Sequence, residues 1–471
     1  MKSFFLSGIF VLVTFFALAQ NKLTLKEAIE TGIHNNIDVL QSNLEMQKSA
    51  INYKQSKALM LPDLNASVNH GFNQGRSIDP FTNSFINQNV DYANYGLSSN
   101  VLLYNGSSLH NQIKANEFGY EASKMELQQS KDNLTINIIL AYLDVLSAED
   151  ILQQSVEQKA VTDTQVNRLQ ILNQSGAISP SQFYDLKGQL AADEINIVNN
   201  HAVLETAKLN LAQLLNIPYD KNLKLEKLAE KNFNTIYENT AEKVYATALQ
   251  QFAQIKSVEL RTKSAERNIR AVKGELFPTL SLNGNAYTNY SSVASQDFFV
   301  SSSEAPSSDY VMINGSKVPV ITQKNNYNTK KITFRNQLNN NLFTTVNLGL
   351  SIPLFNGLHI RNKMKLAKID LKNTELVEQN SKLKLKQSIE RAYVNLISSS
   401  EKYKLLLSQV ESFQESFRAA EIKFNSGAST SVDYLIAKNN LDKAHSNLII
   451  AKYDITLREK ILDYYQGKEI R

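Results

Sequence analysis

Few residues of this chain are placed to do covalent chemistry. Cysteine is absent from all 471 residues, so there is no thiol nucleophile and no disulfide. Six histidines are scattered without the paired spacing a metal site uses. No Gly-x-Ser-x-Gly elbow and no phosphate-cradling glycine loop occurs. His70 in a candidate strand and His110 at a candidate helix start read as structural or surface residues. The polar side chains with legible work gather at two turns instead. Ser179 before Pro180, with Gln182 three residues on, offers an N-cap, a first-position proline and a capping-box partner. Thr430 offers a second N-cap, and Asp433 puts a carboxylate in the first turn, where it suits the helix dipole. Gly176 and Gly427 stand where a preceding helix would end. This pattern implies no enzyme, no metal and no cofactor.

The elements that must carry those turns are long. Between Gly106 and Gly176 there is no proline and one glycine, Gly119. Roughly 70 residues at 1.5 Å each predict a rod of about 100 Å. Leu127, Leu134, Ala141 and Ala148 recur every seven residues along it, as do Ile138, Val145 and Leu152. Leu385 and Ala392, with Ile389 and Leu396, repeat that phase further on. So narrow a stripe suits coiled-coil contact. Residues 182–216 and 433–466 would return antiparallel to these rods.

The chain also repeats itself. Leu103-Tyr104-Asn105-Gly106 reappears as Leu354-Phe355-Asn356-Gly357, 251 residues later. Ala141-Tyr142-Leu143 and Ser175-Gly176-Ala177 recur at the same interval, as Ala392-Tyr393-Val394 and Ser426-Gly427-Ala428. Leu61-Pro62-Asp63-Leu64 matches Phe277-Pro278-Thr279-Leu280 at the shorter interval of 216, so the second copy carries 35 extra residues before its Asn-Gly. These offsets predict an internal duplication, 20–216 and 241–471, joined by a connecting segment at 217–240.

Each copy predicts two strands, at about 62–75 and 95–106, then at about 278–291 and 341–357. Leu64, Ala66, Val68, His70 and Phe72 alternate with Asp63, Asn65, Ser67, Asn69 and Asn73. Leu342, Thr344, Val346, Leu348, Leu350, Ile352 and Leu354 likewise face one way. An apolar face, an uncharged polar face and aromatics near the ends (Phe72, Tyr95, Tyr104, Tyr290, Phe343, Phe355) make the outer-membrane barrel pattern. A soluble sandwich with one wet face shows the same alternation. Four strands per chain cannot close a barrel, so the edges call for further copies. Three copies would supply twelve strands. The intervening loops, about 74–94 and 292–340, should lie on the external side; the second holds the insertion, is rich in Ser and Asn, and carries a basic stretch from Lys324 to Arg335.

The N-terminus reads as a secretory signal peptide over 1–19: Lys2, an apolar run from Phe4 to Phe16, then Ala17-Leu18-Ala19. No later stretch reaches the roughly 18 apolar residues a transmembrane helix requires. A net charge of +5 with no dense basic block argues against nucleic acid.

In these residues the chain resembles the TolC-like outer-membrane efflux protein family. Leu23-Thr24-Leu25-Lys26-Glu27-Ala28-Ile29 with Asn35-Asn36 looks like its first helix. The Leu-Pro-x-Leu strand entry, the Asn-Gly exit and the turns Gly176–Ser179 and Gly427–Thr430 fit as well. The resemblance implies an α+β membrane protein: a homotrimeric twelve-stranded β-barrel in outer-membrane lipid, continuous with a long periplasmic α-helical barrel. It implies efflux or type I secretion, with a periplasmic adaptor and an inner-membrane transporter as partners. A mixed α/β band is expected at 217–240 and the C-terminal tail. Asp433 matches a position where the family narrows its channel with aspartate rings, and Ile436 stands where the next gate aspartate falls. Asp433 equally reads as a plain helix cap. Ser429 replaces an arginine common in the family. Gly176, Ala177, Ser179, Gly427, Ala428 and Thr430 look like the tip that meets the adaptor. The competing expectation is a secreted coiled-coil scaffold or adhesin without a pore.

Overall fold

The computed structural model describes residues 22–79, 83–228 and 237–468. The signal peptide, part of the first loop and residues 229–236 of the connecting segment therefore lie outside the described residues. In chain order the elements are α1 (Leu25–Asn35), α2 (Ile37–Ala58), β1 (Asn65–Asn73), β2 (Arg76–Ile78), β3 (Phe85–Asn87), β4 (Val90–Asn105), α3 (Ser108–Gln174) and α4 (Pro180–Leu215). There follow α5 (Ala241–Gln251), α6 (Ala253–Gly274), β5 (Thr279–Ser291), β6 (Ser295–Ile313), β7 (Ser316–Lys331), α7 (Phe334–Asn340), β8 (Phe343–Ser351), α8 (His359–Asn425) and α9 (Ser431–Tyr465). They fall into two compact units, one drawn from residues 1–50, 118–263 and 371–471 and the other from 51–117 and 264–370. No described helix is long and apolar enough to cross a membrane.

The first unit is helical. Its main core is the stripe the sevenfold spacing predicts: Leu134, Ile138, Ala141, Val145 and Ala148 of α3 are buried against Leu25, Ala28, Leu204, Leu211 and Leu215. A fully buried aliphatic side chain contributes about 1.5–3 kcal/mol, so Ile138, Val145, Leu211 and Leu215 each add stabilisation on that order. Leu385, Ile389, Ala392 and Leu396 of α8 bury likewise against Val244, Ala248, Ile255, Ile455 and Leu462. The helix starts are set locally. Thr24 and Glu27 form a capping box, with Glu27 N donating to Thr24 Oγ1 at 3.1 Å and Thr24 N to Glu27 Oε2 at 3.0 Å. Asn36, in an extended conformation, ends α1 and caps α2 by accepting from Asp38 N at 2.9 Å. One short mixed contact survives from the expected α/β band: Leu23 bridges Leu225 in parallel, and the Tyr142 hydroxyl lies 2.8 Å from the carbonyls of both Leu23 and Glu226. Burial pushes that phenol up to about 12.

The second unit holds a four-stranded antiparallel sheet of order β1-β4-β5-β8. Its register sorts the side chains onto two faces. Ala66, Leu97, Ala286 and Thr344 form one cross-strand row, and Val101, Leu282 and Leu348 another, on an apolar face. The opposite face carries Asn65, Ser98, Asn285 and Thr345 in one row and Asn100, Asn283 and Asn347 in the next. Asp91 is the one acidic residue of these four strands, and they contain no Lys or Arg. β1 and β8 are the sheet's edges.

Several expected boundaries move. β4 begins at Val90 rather than 95, because its first residues pair with Phe72 and Asn73 of β1. β8 stops at Ser351, short of 357, so Phe355 lies outside the sheet, while Phe343 shares the polar face with Asn347. The 292–340 segment is no irregular loop: β6 and β7 form a long hairpin closed at Asn314-Gly315, both at positive φ, as a primed turn requires. The short helix α7 follows, and its buried Gln337 brackets the end of β5 through Ser291 N at 2.8 Å and Ser291 O at 3.1 Å. The first loop folds into the small β2–β3 hairpin.

Candidate functional site

The two turns singled out by sequence both lie in the helical unit and are built alike. Gly176 stands at φ +72°, with Gly176 N donating to Asn173 O at 3.1 Å and Ala177 N to Leu172 O at 2.8 Å. Gly427 has the same φ of +72°, with Gly427 N donating to Phe424 O at 3.2 Å and Ala428 N to Lys423 O at 2.8 Å. This paired pattern is a Schellman cap, and left-handed φ is why glycine stands there. A Cβ at either position would meet nothing within 4 Å, so conformation rather than space excludes a side chain.

The helix starts that follow differ. Thr430 and Asp433 form a complete capping box: Asp433 N donates to Thr430 Oγ1 and Thr430 N to Asp433 Oδ2, each at 3.2 Å. The hydroxyls of Thr430 and Ser429 donate to the same carboxylate at 2.8 and 3.0 Å. The Thr430 side chain, then its backbone amide, then Ser429 hold the Asp433 carboxyl below the usual range. Ser429 thus serves this cap. At Ser179 the expected side-chain cap is absent: its hydroxyl bonds no amide of α4, and Gln182 N turns to Ser179 O at 3.1 Å. Pro180 at the first position already removes one amide needing a partner and fixes φ, which leaves less for a capping side chain to satisfy.

Gly176, Ala177, Ser179, Gly427, Ala428 and Thr430 are all exposed. Asp433 and Ile436 are exposed too, three residues apart on one face of α9. The opposite face of α9 packs inward. Tyr434 is fully buried, stacked on Phe424 at 5.0 Å between centroids and beside Phe417 at 5.5 Å. Val166, Leu169 and Leu186 complete the cluster, so it ties the α3–α4 hairpin to the α8–α9 hairpin just behind the turns.

Polar ties between the hairpins escaped the sequence. Arg168 of α3 donates to Asn425 O at 2.8 Å and to the Asn425 side chain. Ser431 donates to Asp185 at 2.8 Å. Deeper in, the Lys438 ammonium sits 3.1 Å from Asp193 Oδ2 and 2.7 Å from Asp442 Oδ2, with side-chain exposures of 2 %, 6 % and 21 %. Thr162 and Gln189 also donate to Asp193. Burial pushes the Asp442 carboxyl up, aided by Asp193 and opposed by Lys438. The signal was available: Tyr434, Lys438 and Asp442 follow one another at helical spacing, so two charges lie in line with a buried aromatic. His70, in β1, lies 3.0 Å from Tyr92 O, and His110 is exposed on α3. No group of potential metal ligands occurs among the described residues.

A family model described as "Outer membrane efflux protein" matches residues 28–216 and 244–467. The outer membrane protein TolC of Escherichia coli (strain K12) is 21 % identical over 433 residues, covering 89 % of this chain and 78 % of that one. The toxin and drug export protein A of Aggregatibacter actinomycetemcomitans is 19 % identical, covering 94 % and 87 %. Among solved structures, the Campylobacter jejuni CmeC outer membrane channel shares the fold with a TM-score of 0.74 at 15 % identity, covering 94 % of this chain and 85 % of that one.

Proposed function

The chain belongs to the outer membrane efflux protein family, a family of channels rather than enzymes, and we propose that three copies of it form the outer-membrane conduit of a tripartite efflux or type I secretion system. The observation that carries this reading is the sheet. It has four strands, an even number, so a neighbour's β1 can add to β8 without breaking the antiparallel order. An isolated sheet with two bare edges and one bare apolar face would aggregate. Closure by three copies covers both edges, turns the apolar face to lipid and leaves the uncharged polar face around a passage.

The helices then extend into the periplasm. Residues 20–216 and 241–471 act as two structural repeats joined through 217–240. That reading is supported by the equal length of α3 and α8, 67 residues each, and by the matching caps at Gly176 and Gly427. The exposed turn residues Gly176, Ala177, Ser179, Gly427, Ala428 and Thr430 form the surface for a periplasmic adaptor. Asp433 and Ile436 face the axis and narrow the entrance: three carboxylates favour cations, and three isoleucines set an apolar constriction beside them. The conduit itself does no chemical work; an inner-membrane transporter drives the cargo.

The absence of cysteine makes the edge contact directly testable. A cysteine at Val68 on β1, combined in turn with one at Thr344, Val346 or Leu348 on β8, should give disulfide-linked dimers and trimers for at least one pair in outer-membrane fractions. Only monomers for every pair, with a monomeric native mass in detergent, would refute the assembly.

A further inference from the structure

The polar face of the sheet is not flat; beside Asn341 it forms a concavity of about 330 Å³. Two adjacent cross-strand rows build it. One is Asn69–Asn94–Asn289, which Asn341 extends by donating from Nδ2 to Asn289 O at 2.9 Å. The other is Ser67–Gly96–Tyr287. Asn341, which follows directly on α7, closes the end of the site, while α7 itself is anchored on the opposite face, where the Thr288 hydroxyl donates to Leu338 O at 2.7 Å.

The Tyr287 ring lies across Gly96. A Cβ there would stand 3.2–3.3 Å from the ring and 2.7 Å from Ser67 Oγ. Glycine therefore lets the ring lie along the strand and present a face, and the phenol bonds Asn285 Oδ1 at 3.3 Å. No Lys, Arg, Asp, Glu or His lines the concavity.

This chemistry is selective. Carboxamides offer a donor and an acceptor on one planar group, matching hydroxyls that also do both. An aromatic face accepts the apolar side of a sugar ring, and the lack of charge removes any preference for ions. We propose that this concavity is a subsite for neutral polyhydroxylated ligands, saccharides in class, with Asn69, Asn94 and Asn289 bonding hydroxyls and Tyr287 as the stacking platform. The proposal deepens the channel reading, resting on it for the claim that cargo passes this face; binding itself does not depend on conduction.

The test is saturation-transfer NMR on the purified full chain in detergent, with maltotriose as probe and hexaethylene glycol as a neutral comparator of weaker hydrogen-bonding capacity. Maltotriose should show transfer concentrated on its ring protons, and the glycol little. Asn94→Leu and Tyr287→Leu should each raise the maltotriose dissociation constant about fivefold or more, the effect of one lost hydrogen bond or ring contact. Asn347→Leu, on the same face but outside the concavity, should leave it unchanged. No transfer, equal transfer to the glycol, or equal loss in all three variants would overturn the subsite. Bilayer conductance of the same preparation reports separately on the channel, so the two readings can fail independently.

Discussion

Removing the Lys438 ammonium should loosen the joint between the two helical hairpins more than any single change at the exposed turns. Lys438→Met keeps much of the side-chain volume and deletes the charge. It leaves Asp193 and Asp442 as neighbouring desolvated carboxylates whose shared cation, at 3.1 and 2.7 Å, is gone. Breaking one partner of a buried pair costs about 3–5 kcal/mol. If the cost falls on local opening, the opening equilibrium changes by roughly two to four orders of magnitude. Amide hydrogen exchange over residues 434–442 reads this directly. The effect carries a sign in pH. Asp442 is already raised by burial, and losing Lys438 removes its main opposing influence, so it climbs further. A carboxylate whose folded value is raised binds its proton more readily in the folded state. Stability therefore falls as pH rises from the unfolded value through the folded one, and returns as pH drops. The defect should be largest at pH 7.5 and smaller at pH 5. Replacing all three charges, as Asp193→Asn, Lys438→Met and Asp442→Asn together, should recover most of the protection. Unchanged exchange in Lys438→Met, or a triple variant as loose as the single one, would refute the reasoning.

Gly176→Ala and Gly427→Ala should each cost about 1 kcal/mol through left-handed φ alone, since neither Cβ meets a neighbour; thermal melts of single and double variants should show near-additive losses. Tyr142→Phe removes the hydroxyl shared by Leu23 O and Glu226 O and should cost about 1–2 kcal/mol, with exchange rising at residues 22–26. The Asp433 cap should persist above the usual carboxylate range and fail only as pH falls through its lowered folded value. Hydrogen exchange in the first turn of α9 should therefore respond to strong acid in the native chain and lose that response in Asp433→Asn.

What the sequence made legible follows the period of the pattern. The sevenfold stripe singled out Leu134, Ile138, Ala141 and Val145 as helix-contact positions, and they are buried. The twofold alternation named the two faces of β1 and β8, because a strand's side chains have no other place to point. Glycine at 176 and 427 marked both helix ends, since left-handed φ is costly for other residues. Contacts between distant segments left weaker traces. The β6–β7 hairpin looked irregular because its middle pairs Ser301 and Ser302 with Asn326 and Asn325, residues that loops also favour. Lys438 finds Asp193 across 245 residues of chain, a pairing no local spacing encodes. Capping at Ser179 failed where Thr430 succeeded because motif presence does not fix hydroxyl geometry. Of the two functional readings, conduit and pore-free scaffold, family membership falls on the conduit side.

The most direct test of the account is single-channel conductance of the purified protein in a planar bilayer. The conduit should show a small cation-selective conductance that grows, and loses selectivity, in Asp433→Ala. Correctly assembled protein that conducts nothing, both as isolated and after Asp433→Ala, would contradict the conduit. Conductance that ignores Asp433 would contradict the gate while leaving the conduit standing.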